Sequence, residues 1–372
     1  MELPEGFTVG TVLLQRYELL KEIGRGGCAA VFEARDRRLG RTVAIKFPLS
    51  MVGGAARASR FNRETQVIAQ VHHPNVCAVL DSGVADDGTP FLVMERLYGE
   101  SLRAALVRSG RLDINESISI ALQLLSALDA VHYAGIVHRD IKPDNIILVT
   151  RGGCDPLVKL LDFGLCRRAA SRHEVEETMT CEGALVGTPE YMAPEQVLGS
   201  VALDVRVDLY AVGVVLYEAL TGERAFFSKS VRDILSGVIS KKIPPLRQLR
   251  PDAPRSLETV LLRAMNRNPQ HRYATAVELQ EDLIAVRAEM AAAARAERAS
   301  TRRLRDAQLT SDIHELVGQS PRQSSSMPAS RQSSPMPAPR QSSPVPTIAE
   351  GWDPPTTPYR RPRARPKTGT DG

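Results

Sequence analysis

The segment His138-Arg-Asp-Ile-Lys-Pro-Asp-Asn145 places two carboxylates, a lysine and an amide on one short stretch of chain. Asp140 can accept a proton from a hydroxyl or orient that hydroxyl. Lys142 can neutralise charge on a phosphoryl group in transit. Asn145, five residues past Asp140, offers an amide oxygen to a hard cation, the kind of ligand that Mg²⁺ takes together with water and phosphate oxygens. Seventeen residues further on, Asp162-Phe-Gly164 follows the apolar run Val158–Leu161, and its carboxylate can supply a second contact to such an ion. An Asp-x-Gly turn is common as a plain turn; its position after Asn145 is what favours the chemical reading.

Upstream lie two further groups with affinity for phosphate. Ile23-Gly-Arg-Gly-Gly-Cys-Ala-Ala-Val31 joins two strand candidates, and glycines such as Gly24 and Gly26 let a backbone approach an anion closely. By itself this segment reads equally well as an ordinary flexible hairpin. Lys46 ends Val43-Ala-Ile-Lys46, an apolar strand with one cation, and taken alone it is as well read as a surface lysine. Glu64, on the helix that follows, is its natural partner, and Lys46 could then bridge that carboxylate and ATP phosphates.

These residues need elements to hold them. Tyr17–Arg25, Ala29–Asp36 and Thr42–Phe47 alternate as strands. A helix is expected over Arg57–Val71, and Val76–Asp81 and Phe91–Glu95 complete a five-strand set. From Ser101 onward the apolar residues recur every three or four positions, as in Ile118, Leu122, Leu125, Leu128 and Val131. Val205–Leu220, Leu257–Met265 and Val277–Val286 are further helix candidates. A small β-rich lobe thus precedes a larger α-rich lobe, an α+β architecture.

The order of these motifs resembles that of the protein kinases, in particular the bacterial serine/threonine kinases: the Gly-rich loop, Val-Ala-Ile-Lys, a helical Glu, His-Arg-Asp, Asp-Phe-Gly and Ala193-Pro-Glu195. The resemblance covers roughly residues 17–287 and implies a bilobal kinase fold and transfer of the γ-phosphate of Mg-ATP to Ser/Thr hydroxyls of proteins. It implies that Lys46 and Glu64 form an ion pair, that Asp140 is the catalytic base with Lys142 beside it, and that Asn145 and Asp162 hold Mg²⁺. It places Met94 at the back of the adenine pocket, Glu95–Leu97 at the hinge, and Ile23, Val31, Ala44 and Ile147 around the base. Glu195 is expected to pair with Arg272, and Asp208 to brace the catalytic loop from a helix beneath it. Lys142 and Gly187-Thr-Pro-Glu-Tyr-Met-Ala-Pro-Glu195 are of the Ser/Thr type, with Thr188 near Asp140.

Two positions depart from the family pattern. Ala29 stands where a third glycine is usual, which would stiffen the loop, and Leu209-Tyr210 stands where related kinases often carry Trp. Leu165–Met192 would be the activation segment; a phosphate on Thr178 or Thr180 could dock on Arg139, a device of autophosphorylation between two copies. Cys28 and Cys166 would border the nucleotide, as space-filling residues or as a redox pair. Two other readings share these motifs: a pseudokinase scaffold, and a small-molecule phosphotransferase.

Composition narrows the remainder. The chain has 372 residues, 48 Lys+Arg and 43 Asp+Glu. Eight of the cations and three of the anions lie in 316–372, so residues 1–315 hold 40 of each sign. A neutral folded part argues against nucleic-acid binding. Five widely spaced cysteines without a Cys-x-x-Cys pair fit a reducing compartment. The acidic start of residues 1–16, a short leader, and the lack of a long apolar run suggest a cytoplasmic protein without a membrane span. Residues 288–315, rich in Ala, Arg and Glu, read as a helical extension, either solvated or docking a partner. Residues 316–372 repeat Arg-Gln-Ser-Ser from Arg322, Arg331 and Arg340 and hold 12 of the 25 prolines, the signature of a disordered, basic tail.

Overall fold

The computed structural model describes residues 7–26, 29–48, 65, 67–152, 154–162, 189–200, 202–228 and 230–318. The chain divides into two compact units, Met1–Gln308 and Leu309–Gly372, and the strands and chemically active groups lie in the first. In the second, the described backbone is the helical stretch 309–318.

Alternating apolar residues in the first third of the chain pair into one antiparallel sheet. Its strands are β1 (Val12–Leu13), β2 (Tyr17–Arg25), β3 (Ala29–Asp36), β4 (Arg41–Pro48), β5 (Val79–Val84) and β6 (Pro90–Glu95), in the order β1-β2-β3-β4-β6-β5. The period of two sorts the side chains. Phe32, Val43, Ile45, Phe47, Phe91 and Val93 form a small core on one face. Ala44, Leu92 and Met94 join the main core from the other, with Val31 packed against it. The registers Val31↔Lys46 and Ala44↔Met94 place Lys46 among this second set.

Some boundaries differ from the sequence reading. The sheet takes in Val12–Leu13 from within residues 1–16, where Leu13 is buried. The fifth strand starts at Val79 rather than Val76, because the preceding backbone is paired elsewhere. Val76 bridges Leu160, the Cys77 N–H donates to the Leu160 carbonyl, and the Ala78 N–H donates to the Glu95 side chain.

A second sheet joins β7 (Glu100–Ser101), β8 (Ile146–Arg151) and β9 (Cys154–Leu160). The helices are α1 (Leu102–Ser109), α2 (Ile114–Tyr133), α3 (Pro194–Val197), α4 (Arg206–Thr221), α5 (Val231–Ser240), α6 (Leu246–Leu249), α7 (Arg255–Ala264) and α8 (Ala276–Gly318). Asp113 caps α2, its carboxylate accepting from the Asn115 N–H at 2.8 Å. Helix α2 is, among the described residues, the one helix long and apolar enough to cross a bilayer; 61% of that window is buried inside the fold. Helix α4 is buried from Val207 to Leu220 and ends at Gly222, whose φ of 77° is the left-handed cap that glycine adopts without strain. Helix α8 runs through residue 287 without a break; its Leu279, Leu283 and Val286 are buried, and its described side chains from 291 to 305 are all exposed.

An ion pair anchors the first sheet. Asp36 is fully buried and accepts from Arg16 Nε at 3.0 Å and Nη2 at 2.8 Å, and from the N–H groups of Arg38 and Leu39. Hydrogen bonds from Arg16 first, outweighing the cost of burial, and then those backbone donors hold its carboxyl down at about 2. A depressed folded-state value stabilises the fold above pH 4 and is lost as pH falls toward 2, a contribution of roughly 2 kcal/mol before screening of the partly exposed Arg16. Asp36→Asn is therefore expected to lower the free energy of unfolding at pH 7, with the gap to wild type closing between pH 4 and pH 2 in denaturant titrations. A gap independent of pH would rule this account out.

Candidate active site

Helix α4 sets the geometry of the catalytic loop from below. Asp208, in its first turn and buried, accepts from the His138 N–H at 2.8 Å, the Arg139 N–H at 2.7 Å and His132 Nε2 at 2.8 Å. Charge-assisted bonds of this kind are about twice as strong as neutral ones. They offset the strain at Arg139, whose φ of 68° costs on the order of 1–2 kcal/mol in a residue with a Cβ. The expected brace from Asp208 is thus present.

His138 ties this loop to the end of β9. Its Nδ1 lies 3.3 Å from the Asp140 N–H and its Nε2 2.9 Å from the Leu161 carbonyl. The pattern assigns the neutral ring with the proton on Nε2. Burial agrees, pushing the imidazole below its usual range despite the opposing charge of Asp208. The Leu161 N–H in turn donates to the Asn145 carbonyl at 2.8 Å. With both its backbone groups taken, Leu161 leaves the sheet one residue earlier than read, and Asp162 follows with a φ of 55°.

The side chains converge here. Lys142 Nζ lies 3.0 Å from Asp140 Oδ2. Asn145 Nδ2 donates to the Asp140 carbonyl at 2.8 Å and to Asp140 Oδ2 at 3.0 Å, so neither bond uses its amide oxygen. Lys46 Nζ, on β4, lies 2.5 Å from Asp162 Oδ1. Five sequence-selected residues thus form two adjoining groups, Asp140–Lys142–Asn145 and Lys46–Asp162, joined through His138 and Leu161. Glu64, Thr178, Thr180, Thr188, Cys28 and Cys166 lie outside the described residues. Arg139 is described: its Nε is buried with no hydrogen-bond partner among the described residues.

Residues selected for the adenine pocket sit on neighbouring strands. Gly24 pairs with Val31 across β2 and β3, Glu33 with Ala44 across β3 and β4, and Ala44 with Met94 across β4 and β6. Ile147 is on β8 opposite Lys159. Ile23, Val31 and Leu97 are partly buried against the main core. Met94 lines a small cavity with Thr65, Ile68, Cys77, Val79, Leu92 and Asp162. A Cβ added at Gly24 or Gly26 would meet only open space, so packing inside the protein does not require glycine there.

Several positioning residues carry no local sequence signal. Lys159 pairs with Glu95 Oε1 at 2.6 Å and fixes that side chain at the end of β6. Asn75 spans Gln123 Oε1 at 3.0 Å and the Val158 carbonyl at 2.8 Å, tying α2 to β9. The expected pair Glu195–Arg272 is bidentate, at 2.7 and 2.8 Å. Arg272 also lies over the ring of Tyr210 in α4 at 4.8 Å, a cation–π contact.

Comparison with known proteins agrees with this geometry. Residues 17–290 match the protein kinase domain family, and the chain belongs to that family. It is 39% identical over 281 residues to the serine/threonine-protein kinase pkn3 of Myxococcus xanthus, a match covering 75% of this chain and 51% of that protein. It is 37% identical over 278 residues to the serine/threonine-protein kinase PknB of Mycobacterium leprae, covering 74% of this chain and 43% of that one. The chain therefore spans about half the length of such relatives. In fold it is similar to the crystal structure of the PknI kinase domain of Mycobacterium tuberculosis, with a TM-score of 0.59 and 24% identity over 76% of this chain and 99% of that one. ATP and Mg²⁺ are the general requirements of the family.

Proposed function

We propose that the chain is a serine/threonine protein kinase that transfers the γ-phosphate of ATP to protein hydroxyls. The observation that carries this reading is the convergence of Asp140, Lys142 and Asn145 on a loop that Asp208 braces from α4 and that His138 ties to the Leu161 carbonyl, next to Asp162. Asp140 takes up the acceptor hydroxyl and its proton. Lys142, beside it, balances the negative charge of the transferring group. Lys46 holds the phosphates of the nucleotide, with Glu64 as its further partner.

The open space around Gly24 and Gly26 suits a phosphate chain lying beneath the hairpin, and Ile23, Val31, Ala44, Met94, Glu95, Leu97 and Ile147 form the adenine slot. The donor set of Asp162 and Asn145, a carboxylate and an amide oxygen, fits Mg²⁺. When bound, Mg²⁺ neutralises phosphate charge as a Lewis acid. A phosphate placed on Thr178 or Thr180 would find a cation in Arg139.

The test is transfer of label from γ-labelled Mg-ATP to a mixture of acceptor proteins, followed by phosphoamino-acid analysis. Label on Ser and Thr is the expected result. Label confined to Tyr, or preferential transfer to small alcohols, would overturn the assignment.

A further inference from the structure

A cavity of about 400 Å³ lies between α4, α7 and the segment 241–245 that joins α5 to α6. None of the groups assigned to phosphoryl transfer lines it. Its lining is mostly apolar, with Phe226, Ile243, Leu246, Leu261 and Met265 beside Tyr210 and Tyr217. A volume of this size falls in the range of small-molecule sites and is too small for a folded element.

The two tyrosines are both buried, but only one has found a partner inside the fold. The Tyr217 hydroxyl donates to the Pro244 carbonyl at 3.1 Å. Tyr210 is 1% exposed, and its hydroxyl has no hydrogen-bond partner among the described residues. A hydroxyl withdrawn from water is ordinarily paired, because desolvation without a partner is costly. Burial, outweighing the nearby Arg272 and Arg267, holds this phenol above its usual range, so it remains a proton donor.

The other polar groups of the cavity are also donors. Lys241, Lys242 and Arg267 line it, against the single carboxylate of Glu258. Glu258 is already engaged, its Oε2 accepting from the Arg247 N–H at 2.8 Å. Arg267 donates to the Lys241 carbonyl, which fixes the guanidinium beside the 241–245 segment. Lys241 and Lys242 are exposed, and neither forms an ion pair among the described residues. An apolar chamber with a buried donor and two unpaired ammonium groups is matched by a molecule with an apolar body and one anionic end. The body leaves water, and the anion takes the charged donors.

We propose that this cavity is a ligand site separate from the reacting groups, which takes a small apolar molecule bearing one anionic group, a carboxylate or a phosphate monoester. The site does not depend on the protein kinase reading.

The experiment titrates the full chain calorimetrically with decanoate and with monodecyl phosphate, beside acetate and decyltrimethylammonium as controls. One equivalent of at least one decyl anion is expected to bind, and the tighter of the two identifies the head group. Acetate lacks the body and decyltrimethylammonium carries the wrong charge, so neither should bind. Failure of both decyl anions, or equal binding of the cation, would overturn the proposal.

Two variants locate the site. The exposed pair Lys241→Ala, Lys242→Ala should weaken binding about tenfold, the worth of two partly exposed ion pairs. Unchanged affinity in this variant would place the anion elsewhere and overturn the proposal. Tyr210→Phe keeps the ring under Arg272 and removes only the hydroxyl. It should weaken binding about threefold while melting no lower than wild type, because the hydroxyl has no partner to lose within the fold. A clearly lower melting temperature with unchanged affinity would show that the hydroxyl serves the fold and not a ligand.

Discussion

Asp140→Asn is expected to lower kcat for phosphoryl transfer by about 10²–10⁴-fold, the usual worth of a positioned general base. The substitution is close to isosteric. It removes the charge facing Lys142 Nζ at 3.0 Å and the basic oxygen that would receive the hydroxyl's proton. It leaves the backbone that holds the loop, because Asp208 binds the N–H groups of His138 and Arg139 rather than that of Asp140. The loss should therefore fall on kcat, with KM for ATP changed only a few-fold and the melting temperature close to that of wild type. Steady-state kinetics together with a thermal melt test this. A fall in kcat below about fivefold would remove Asp140 from the chemical step.

Arg272→Ala should produce the largest loss of stability. Arg272 has no exposed side-chain surface and makes two bonds to Glu195. It further donates to the carbonyls of Asn266, Arg206 and Arg267 and lies on the ring of Tyr210. Removing one partner of such a buried pair costs about 3–5 kcal/mol, because the remaining charge and carbonyls stay desolvated. For a domain of this size that corresponds to a drop in melting temperature on the order of 10 °C. A paired Arg272→Met, Glu195→Gln variant should regain part of the loss, since it leaves no lone buried charge. Destabilisation of Arg272→Ala by under 1 kcal/mol in chemical unfolding would contradict this account.

The contrast between these two residues shows how the molecule could be read. Asp140 announces itself because Lys142 and Asn145 follow within five residues, and a loop brings such neighbours together with little help. The strands Tyr17–Arg25 and Ala29–Asp36 were legible for a similar reason: alternation and turn residues act over a few positions. The strand after His73 was misplaced by three residues because its competitors are remote. Leu160 and the Glu95 side chain claim the hydrogen-bonding groups of residues 76–78, and neither is visible from local sequence.

The same limit applied to Lys159 and Asn75. Each lies in an ordinary-looking stretch and gains its role from partners dozens of residues away. His132 likewise shares Asp208 with the catalytic loop, although its own helix gives no sign of it.

By itself the sequence determined the residue types that can carry phosphoryl-transfer chemistry, their order, and the strand and helix periods that display them. Those properties depend on covalent spacing and short-range backbone geometry. The tertiary structure decided which charges face one another: Lys46 against Asp162, His138 between the catalytic loop and Leu161, and Arg103 across Glu218 and Asp144. Burial is the physical reason. A carboxylate or guanidinium withdrawn from water must be matched by whatever partner the packing of distant elements supplies, and that choice is made only when the core closes.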